Sequence, residues 1–257
     1  MQNPKILEVE AVRTRIITSG DNLLETLKKT FEKHGLQNNV ILVITSKVVA
    51  LTQGRVRKLD CTYGRRSDAD GGTQSTPAFN ALVKAEADAV IGGKQVTLTL
   101  KDGIFIAWAG IDRSNVKAGE VVLWPKNPFR TAHDLRKSLK RIFKLKNLGV
   151  IISDSCCHPL RRGVSAVTLG YSGFEGINDL RGHKDLFGNR LKVSAQAVAD
   201  NLATAAHLIM GEAAESTPLA LIRNAPVRFT SREIDPKSLT IDPENCLFAG
   251  LYDTPYK

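Results

Sequence analysis

Apolar positions recur along this chain with two periods, and the switching between them predicts interleaved helices and strands. In "SGDNLLETLKKTFEKHG" apolar residues return every three to four positions, the spacing of one helix face; Asp21 is the expected N-cap and Gly35 the stop. "NVILVITSKVVALTQGRVRKL" opens on a continuous apolar run. It predicts a buried strand and its continuation, with a break near Ser46 and Lys47 and a turn at Gln53 and Gly54. "TPAFNALVKAEADAVIGG" predicts a helix capped by Thr76, with Pro77 at its first position and Gly92 near its end. "KQVTLTLKDGIFIAWAGID" alternates at period two and turns at Lys101-Asp102-Gly103, a hairpin signature. "DLRKSLKRIFKLK" sets Leu135, Leu139, Ile142 and Phe143 on one face of an amphipathic basic helix.

The remaining runs follow the same logic. "GEVVLWP", "LGVIISDS", "VSAVTLGYSGFEG" and "PLALIRNAPVRF" read as strands, and "KVSAQAVADNLATAAHLIMGEAAES" as an Ala-rich helix closed by Gly211. "CTYGRRSDADGGTQS" is polar and glycine-containing, hence a loop. Helices and strands mix without regular βαβ alternation, which predicts an α+β fold rather than a doubly wound sheet.

Length and composition narrow the class. The 257 residues suit one large domain or two small lobes. No apolar run reaches the ~18 residues of a membrane span, and the first residues carry no secretory pattern, so a cytoplasmic protein is expected. Four cysteines, Cys61, Cys156, Cys157 and Cys246, are too sparse for a disulfide scaffold and are expected as reduced thiols. A net charge of +10 favours anionic partners, but aromatic residues make up only 6% and no nucleic-acid-binding motif is present. Charge alone reads best as a solvated basic surface; nucleic acid is not an expected partner and no membrane partner is expected.

The candidate chemistry gathers at "VIISDSCCHPLRRG", where an apolar run ends on Asp154 and Ser155 and meets two cysteines, a histidine and two arginines. Three readings compete: a zinc site, a nucleophilic cysteine, or a metal–phosphate site. Adjacent cysteines tend to point apart, unlike the spaced ligands of structural zinc sites. A nucleophilic thiol needs a base that lowers its pKa, and the nearness of His158 in sequence says little about geometry. Asp112, in "AGIDRSN", also follows an apolar run, over residues 104–109. Carboxylates at strand ends beside hydroxyl groups suit Mg2+ or Mn2+, which prefer oxygen ligands and keep positions for phosphate oxygens. Both aspartates could instead simply start turns. Arg161 and Arg162 could clamp phosphate or carboxylate, or lie on an exposed basic turn. No G-x-x-x-x-G-K-[ST] or G-x-G-x-x-G loop is present, so any nucleotide must be bound differently.

These motifs, taken together, resemble the coenzyme F-420-0:L-glutamate ligases, the γ-glutamyl ligases of deazaflavin biosynthesis. The likeness runs from about residue 8 to residue 228. It is strongest in "AGIDRSN", in "SDS…PLRRGVSAVTLGYSGFEGINDLRGHKDLFGNRL" and in "VADNLATAAHLIMGEAAESTPLALIR". The resemblance implies an unusual α+β fold of mixed and antiparallel sheets with packed helices and a non-Walker nucleotide site. It also implies a homodimer, a ligase unit over 1–230 and a C-terminal extension over 231–257. The implied reaction uses GTP, or ATP, with Mg2+ or Mn2+. It phosphorylates a carboxylate of the acceptor, and L-glutamate then displaces phosphate. The acceptor would be F-420-0 or, as the runner-up, a folate-type molecule.

Residue by residue, the resemblance assigns Asp112, Asp154 and Ser155 to metal, and Arg161 to an Arg-x-Gly pattern completed by Gly163. Ser46 and Asn115 match nucleotide-contacting positions. So does the stretch Met210, Gly211, Glu212, Ala213, Ala214, Glu215, Ser216 and Thr217, and less closely Val12, Arg13, Thr14 and Arg15. Departures occur at Cys157, His158 and Leu160, at Gln53 in place of a glutamate, and at Ala50 and Leu51, where a nucleotide-contacting lysine is lost; Lys47 is the expected substitute. A nucleotide- or nucleic-acid-binding protein that has lost catalysis is the competing class of function.

Overall fold

The computed structural model describes residues 6–59, 76–93 and 96–252. The "CTYGRRSDADGGTQS" segment, with Cys61, lies outside the described residues. In chain order the elements are β1 (Glu8–Val12), α1 (Leu23–His34), β2 (Val40–Thr45), α2 (Ser46–Thr52), β3 (Val56–Lys58) and α3 (Pro77–Glu86). Next come β4 (Ala89–Gly92), β5 (Leu98–Lys101), β6 (Ile104–Ala107), β7 (Glu120–Val122), α4 (Pro128–Ile142) and β8 (Leu148–Cys157). The last are β9 (Val164–Ser172), β10 (Ile177–Asp179), β11 (Ala195–Ala197), α5 (Val198–Met210) and β12 (Leu219–Arg223).

A five-stranded sheet in the order β1-β12-β2-β8-β9 forms the centre. Only β2 and β8 pair in parallel; the other neighbours are antiparallel. The central strands are apolar on both faces because both faces are covered. One layer packs α1, α2 and α4 against Leu42, Ile44, Val150 and Ile152. The opposite layer packs α5 against Ile41, Val43, Ile151 and Ala220. The expected α+β architecture of mixed and antiparallel sheets is thus observed. The β4-β5-β6 sheet and the β3-β7 pair, with α3, make a smaller satellite beside it. The expected turn at Asp102-Gly103 joins β5 and β6, with both residues at positive φ as a two-residue hairpin requires.

The chain from residue 231 onward folds back on this body. Ile234 and Leu239 pack on the α5 layer, Arg136 donates to the Thr230 carbonyl, and Tyr252 stacks edge-on against Phe105.

Several boundaries differ from the sequence expectation. The N-cap of α1 is Asn22, whose side chain accepts from the Glu25 amide; Asp21 instead accepts from the Thr18 amide and pairs with Arg15. After Thr45 the chain does not continue as strand but turns into α2, burying Val48, Val49 and Ala50 over the end of the sheet. Burial there overrides the strand preference of valine. Helix α3 stops at Glu86, whose carboxylate is drawn to Arg55 and Lys101, and residues 89–92 become β4. The basic helix begins earlier than its pattern, at Pro128, and α5 begins later, after the short strand β11.

Two close approaches fix the sheet, one against α4 and one between neighbouring strands. A side chain on Gly170 would meet the Phe129 amide nitrogen at 2.4 Å, and one on Gly149 the Ile41 methyl at 2.3 Å. Backbone at the start of α4 cannot yield as a flexible side chain can. Gly170→Ala is expected to destabilise the protein by about 2 kcal/mol, the scale of core overpacking. An unchanged thermal midpoint relative to wild type would show that α4 can shift away.

Candidate active site

The parallel pairing of β2 with β8 sets Thr45 opposite Ser153. The residues just past this pairing, Ser46 and Lys47 at the start of α2 and Asp154 and Ser155 where β8 runs on beside β9 alone, therefore emerge at one end of the sheet. A cavity of about 450 Å³ opens there. Its wall is completed by Asp112, Ser114 and Asn115, by Thr14 and Arg15, and by the 210–218 corner that follows α5.

Asp154 is the half-buried end of this wall. The Trp124 indole N–H donates to Oδ2, and the Ser155 amide donates to Oδ1 at 3.0 Å. Burial pushes its pKa up to about 6; the neighbouring Asp112 carboxylate adds to the rise, while the Trp124 and Ser155 hydrogen bonds oppose it. Between the ordinary carboxylate range and pH 6 the folded chain holds a proton that the unfolded chain has released. Ionising Asp154 therefore weakens folding as pH rises through that window.

The Trp124 contact rests on the backbone around it. A side chain on Gly110, itself at φ +70°, would meet the indole nitrogen at 2.0 Å. Arg55 donates to the Trp124 carbonyl at 3.0 Å, and Gln53 accepts from the Lys126 amide at 2.7 Å. Gln53, at a position where the resemblance shows a departure, thus holds the segment between β7 and α4.

Asp112 is more open. A pair of backbone bonds to Val122 fixes it, at 2.8 and 2.9 Å. Its Oδ1 accepts from the Ser114 amide at 2.7 Å and hydroxyl at 2.9 Å, and Lys47 Nζ pairs with Oδ2 at 2.7 Å. Lys47 therefore stands in the cavity, while Leu51 forms part of the apolar wall and Ala50 is buried.

The 210–217 corner closes the other side. Gly211 ends α5 at φ +77°, where a side chain would strike Glu215. Asn115 donates to the Ala213 carbonyl at 2.8 Å, the Thr14 amide donates to the Ser216 carbonyl at 3.1 Å, and Thr217 Oγ1 donates to the Met210 carbonyl at 2.6 Å. Ser155 Oγ donates to Glu212 Oε1 at 3.0 Å, and His207 pairs with the same oxygen.

The structure therefore gathers Thr14, Arg15, Ser46, Lys47, Asp112, Asn115, Asp154, Ser155 and Met210 to Thr217 around one cavity. It places Val12 and Arg13 on a neighbouring hollow instead. Arg161 lies exposed in the turn between β8 and β9, its amide donating to the His158 carbonyl at 3.2 Å, and does not line the cavity of this chain. Cys156 is buried, its thiol pushed up to about 11 by burial, and Cys157 is exposed, so the adjacent thiols point to opposite sides of β8. His207, Ser114 and Trp124 were not singled out in the sequence. The spacing of His207 one turn before Met210, and of Ser114 inside "AGIDRSN", were the available signals; Trp124 offered none.

Among the described residues no three His, Cys, Asp or Glu side chains group as a complete metal cage. The donor chemistry still fits Mg2+ or Mn2+: two carboxylates and a hydroxyl, all hard oxygens, with the remaining positions left to substrate or water. A cavity of this size, with convergent polar groups and a raised carboxylate pKa, has the character of an enzyme active site.

Comparison with known proteins agrees. The family model described as F420-0:Gamma-glutamyl ligase matches residues 11–224. A protein of Methanococcus maripaludis named coenzyme F420:L-glutamate ligase is 34% identical over 227 residues, covering 87% of this chain and 91% of the relative. Relatives of the same name from Methanopyrus kandleri and Archaeoglobus fulgidus are 33% and 32% identical, covering 81% and 82% of this chain and 83% and 85% of their own. The chain belongs to the F420-0:γ-glutamyl ligase family.

Trp124→Phe removes the N–H that favours the ionised form of Asp154. In protein free of divalent ions, the Asp154 titration is expected to move up from about 6 by about one unit, the worth of one hydrogen bond to a charged group. Carboxyl-stretch infrared titration reads this directly; an unmoved titration would remove Trp124 from the site.

Proposed function

We propose that this protein is a nucleotide-dependent C–N ligase that joins L-glutamate to a carboxylate of coenzyme F420-0 or a closely related acceptor. The observation that carries the reading is the convergence of Asp112, Asp154, Ser155 and Lys47 with the 210–217 corner on one cavity. The names of the relatives support glutamate and F420 as substrates. The absence of a Walker loop fits a GTP or ATP held by the 210–217 backbone, Asn115, Ser46 and Thr14.

Asp112, Asp154 and Ser155 would hold the Mg2+ or Mn2+. The cation would supply charge neutralisation and Lewis acidity to phosphate oxygens. The acceptor carboxylate oxygen attacks the γ-phosphorus, forming an acyl phosphate and releasing the nucleoside diphosphate. The neutral amine of glutamate then attacks the acyl carbon; the C–O bond to phosphate breaks, inorganic phosphate leaves and the amine loses its proton. Lys47 brings a positive charge to the phosphates from beside Asp112, in the role of the lysine lost at Leu51. The Trp124 N–H keeps Asp154 aimed and favours its ionised form. Leu51 and the buried Ile17 give the cavity an apolar wall beside the acyl phosphate.

Incubation with L-glutamate, Mn2+ or Mg2+, and GTP or ATP tests this, with F420-0 and tetrahydrofolate offered separately and products read by mass. One or more glutamyl increments on F420-0 are expected, with Asp154→Asn reducing turnover at least about 100-fold at unchanged fold. An increment on the folate alone would reassign the acceptor, and none on either would overturn the ligase reading.

The same reading makes the protein a homodimer. Leu186 and Phe187 stand almost fully exposed on the β10–β11 arm, with Leu160 and Leu208 exposed elsewhere. Two adjacent large apolar side chains exposed together at an arm tip suit burial against a second copy. Sedimentation is expected to give a dimer that Leu186→Asp with Phe187→Asp converts to monomer; a monomeric wild type would remove the dimer from the reading.

A further inference from the structure

A second hollow, of about 420 Å³, lies on the other side of the strand extension that carries Thr14 and Arg15. It is lined by Val12, Arg13, Thr14 and Arg15 from that extension and by one face of α1: Thr26, Lys29, Thr30, Lys33 and His34. The helix positions repeat at three and four residues, so they form a single stripe. This stripe borders the concavity: Lys29, Lys33 and His34 are exposed at its mouth, and Thr26 at its floor is buried.

Five basic side chains line the hollow and no carboxylate does. Two of the five are engaged at its rim: Arg15 pairs with Asp21, and His34 with Glu10 at 3.0 Å. Glu10 is shared with Arg223 at 2.6 Å. Glu25 and Glu32 also belong to α1, but neither lines the hollow. No ion pair among the described residues uses Arg13, Lys29 or Lys33. Three positive groups from two separate elements therefore converge without a counter-charge. Lys29 and Lys33 stand four apart on one helix, a like-charge pair that costs helix stability. Here the concavity focuses their field on one volume, where an anion relieves the repulsion and meets guanidinium and ammonium donors together.

We propose that this hollow is a second anion-binding site, separate from the catalytic cavity, that takes a flexible small polyanion bearing phosphate or carboxylate groups. Thr14 and Arg15 line both cavities, so the two sites share one wall. The proposal stands on this geometry and does not depend on the ligase reading.

Calorimetric titration of the full chain with tripolyphosphate, and separately with a γ-linked tetraglutamate, tests it at low and moderate salt. Wild type is compared with Lys29→Gln/Lys33→Gln, which alters only exposed side chains, and with Lys47→Gln in the catalytic cavity. Circular dichroism and thermal melting verify that each variant is folded. Binding of either probe is expected, weakened at least tenfold by the Lys29/Lys33 pair and not by Lys47→Gln, and falling as salt rises. Which probe binds tells phosphate from carboxylate as the source of the anion. Binding lost with Lys47→Gln but kept by the Lys29/Lys33 variant would place the probe in the catalytic cavity and overturn the proposal. Absence of binding by both probes to wild type would overturn it too.

Discussion

The parallel pairing of β2 with β8 is the constraint on which the molecule turns. Both strands are apolar on both faces, and Ile41 to Ile44 and Val150 to Ile152 are all but inaccessible to solvent. Such strands are stable only when each face is covered, which demands the α1–α4 layer on one side and α5 on the other. The pairing also fixes a register, Val40 with Leu148 through Thr45 with Ser153. Because the strands run the same way, their polar exits fall at one edge. A slip of one residue would exchange the side chains packed in the two helical layers and carry Asp154 to the other side of the sheet.

From that edge the site is assembled by deviations from regular structure. The register of β8 with β9 shifts between Ile152 and Ser153, one residue before Asp154. Bulges of this kind re-aim a strand, and here β8 leaves the two main layers to pack Cys156 with Ile106 and Trp124. Trp108, Ala109 and Gly110 all have positive φ just before Asp112. That costly turn brings the satellite sheet's exit to the cavity and leaves room for the Trp124 indole against Gly110. Local irregularity is therefore concentrated where two carboxylates are held near one another, an arrangement that like-charge repulsion disfavours.

The cavity and the basic hollow next to it divide the net charge of the chain into different tasks. In the cavity beside Asp154, Lys47 is set against Asp112 and the carboxylates balance much of the positive charge. Behind the Thr14–Arg15 extension, Arg13, Lys29 and Lys33 make no ion pair among the described residues. A uniform basic surface would have neither feature. The positive balance of the sequence is thus distributed by the fold, with both concavities served by the same short extension of an edge strand.

The sequence by itself determined the kinds of element and most of the chemistry. Period-two and period-3.6 patterns marked the strands and helices, because side-chain direction is local to each element. The ordered motifs around Asp112, Asp154 and Met210–Thr217 carried the family, because the types of residue at a site survive in the string. It could not tell that residues 46–52 would coil rather than extend. Valines serve both forms, and burial over the sheet end decided between them. Nor could it show that Trp124 would reach Asp154, since nothing local to "GEVVLWP" encodes a partner thirty residues away. Arg161 and Arg13 read as plausible site residues for the same reason. Only tertiary structure, through strand register and the turn at Gly110, decided which charged side chains face one another and which stand apart.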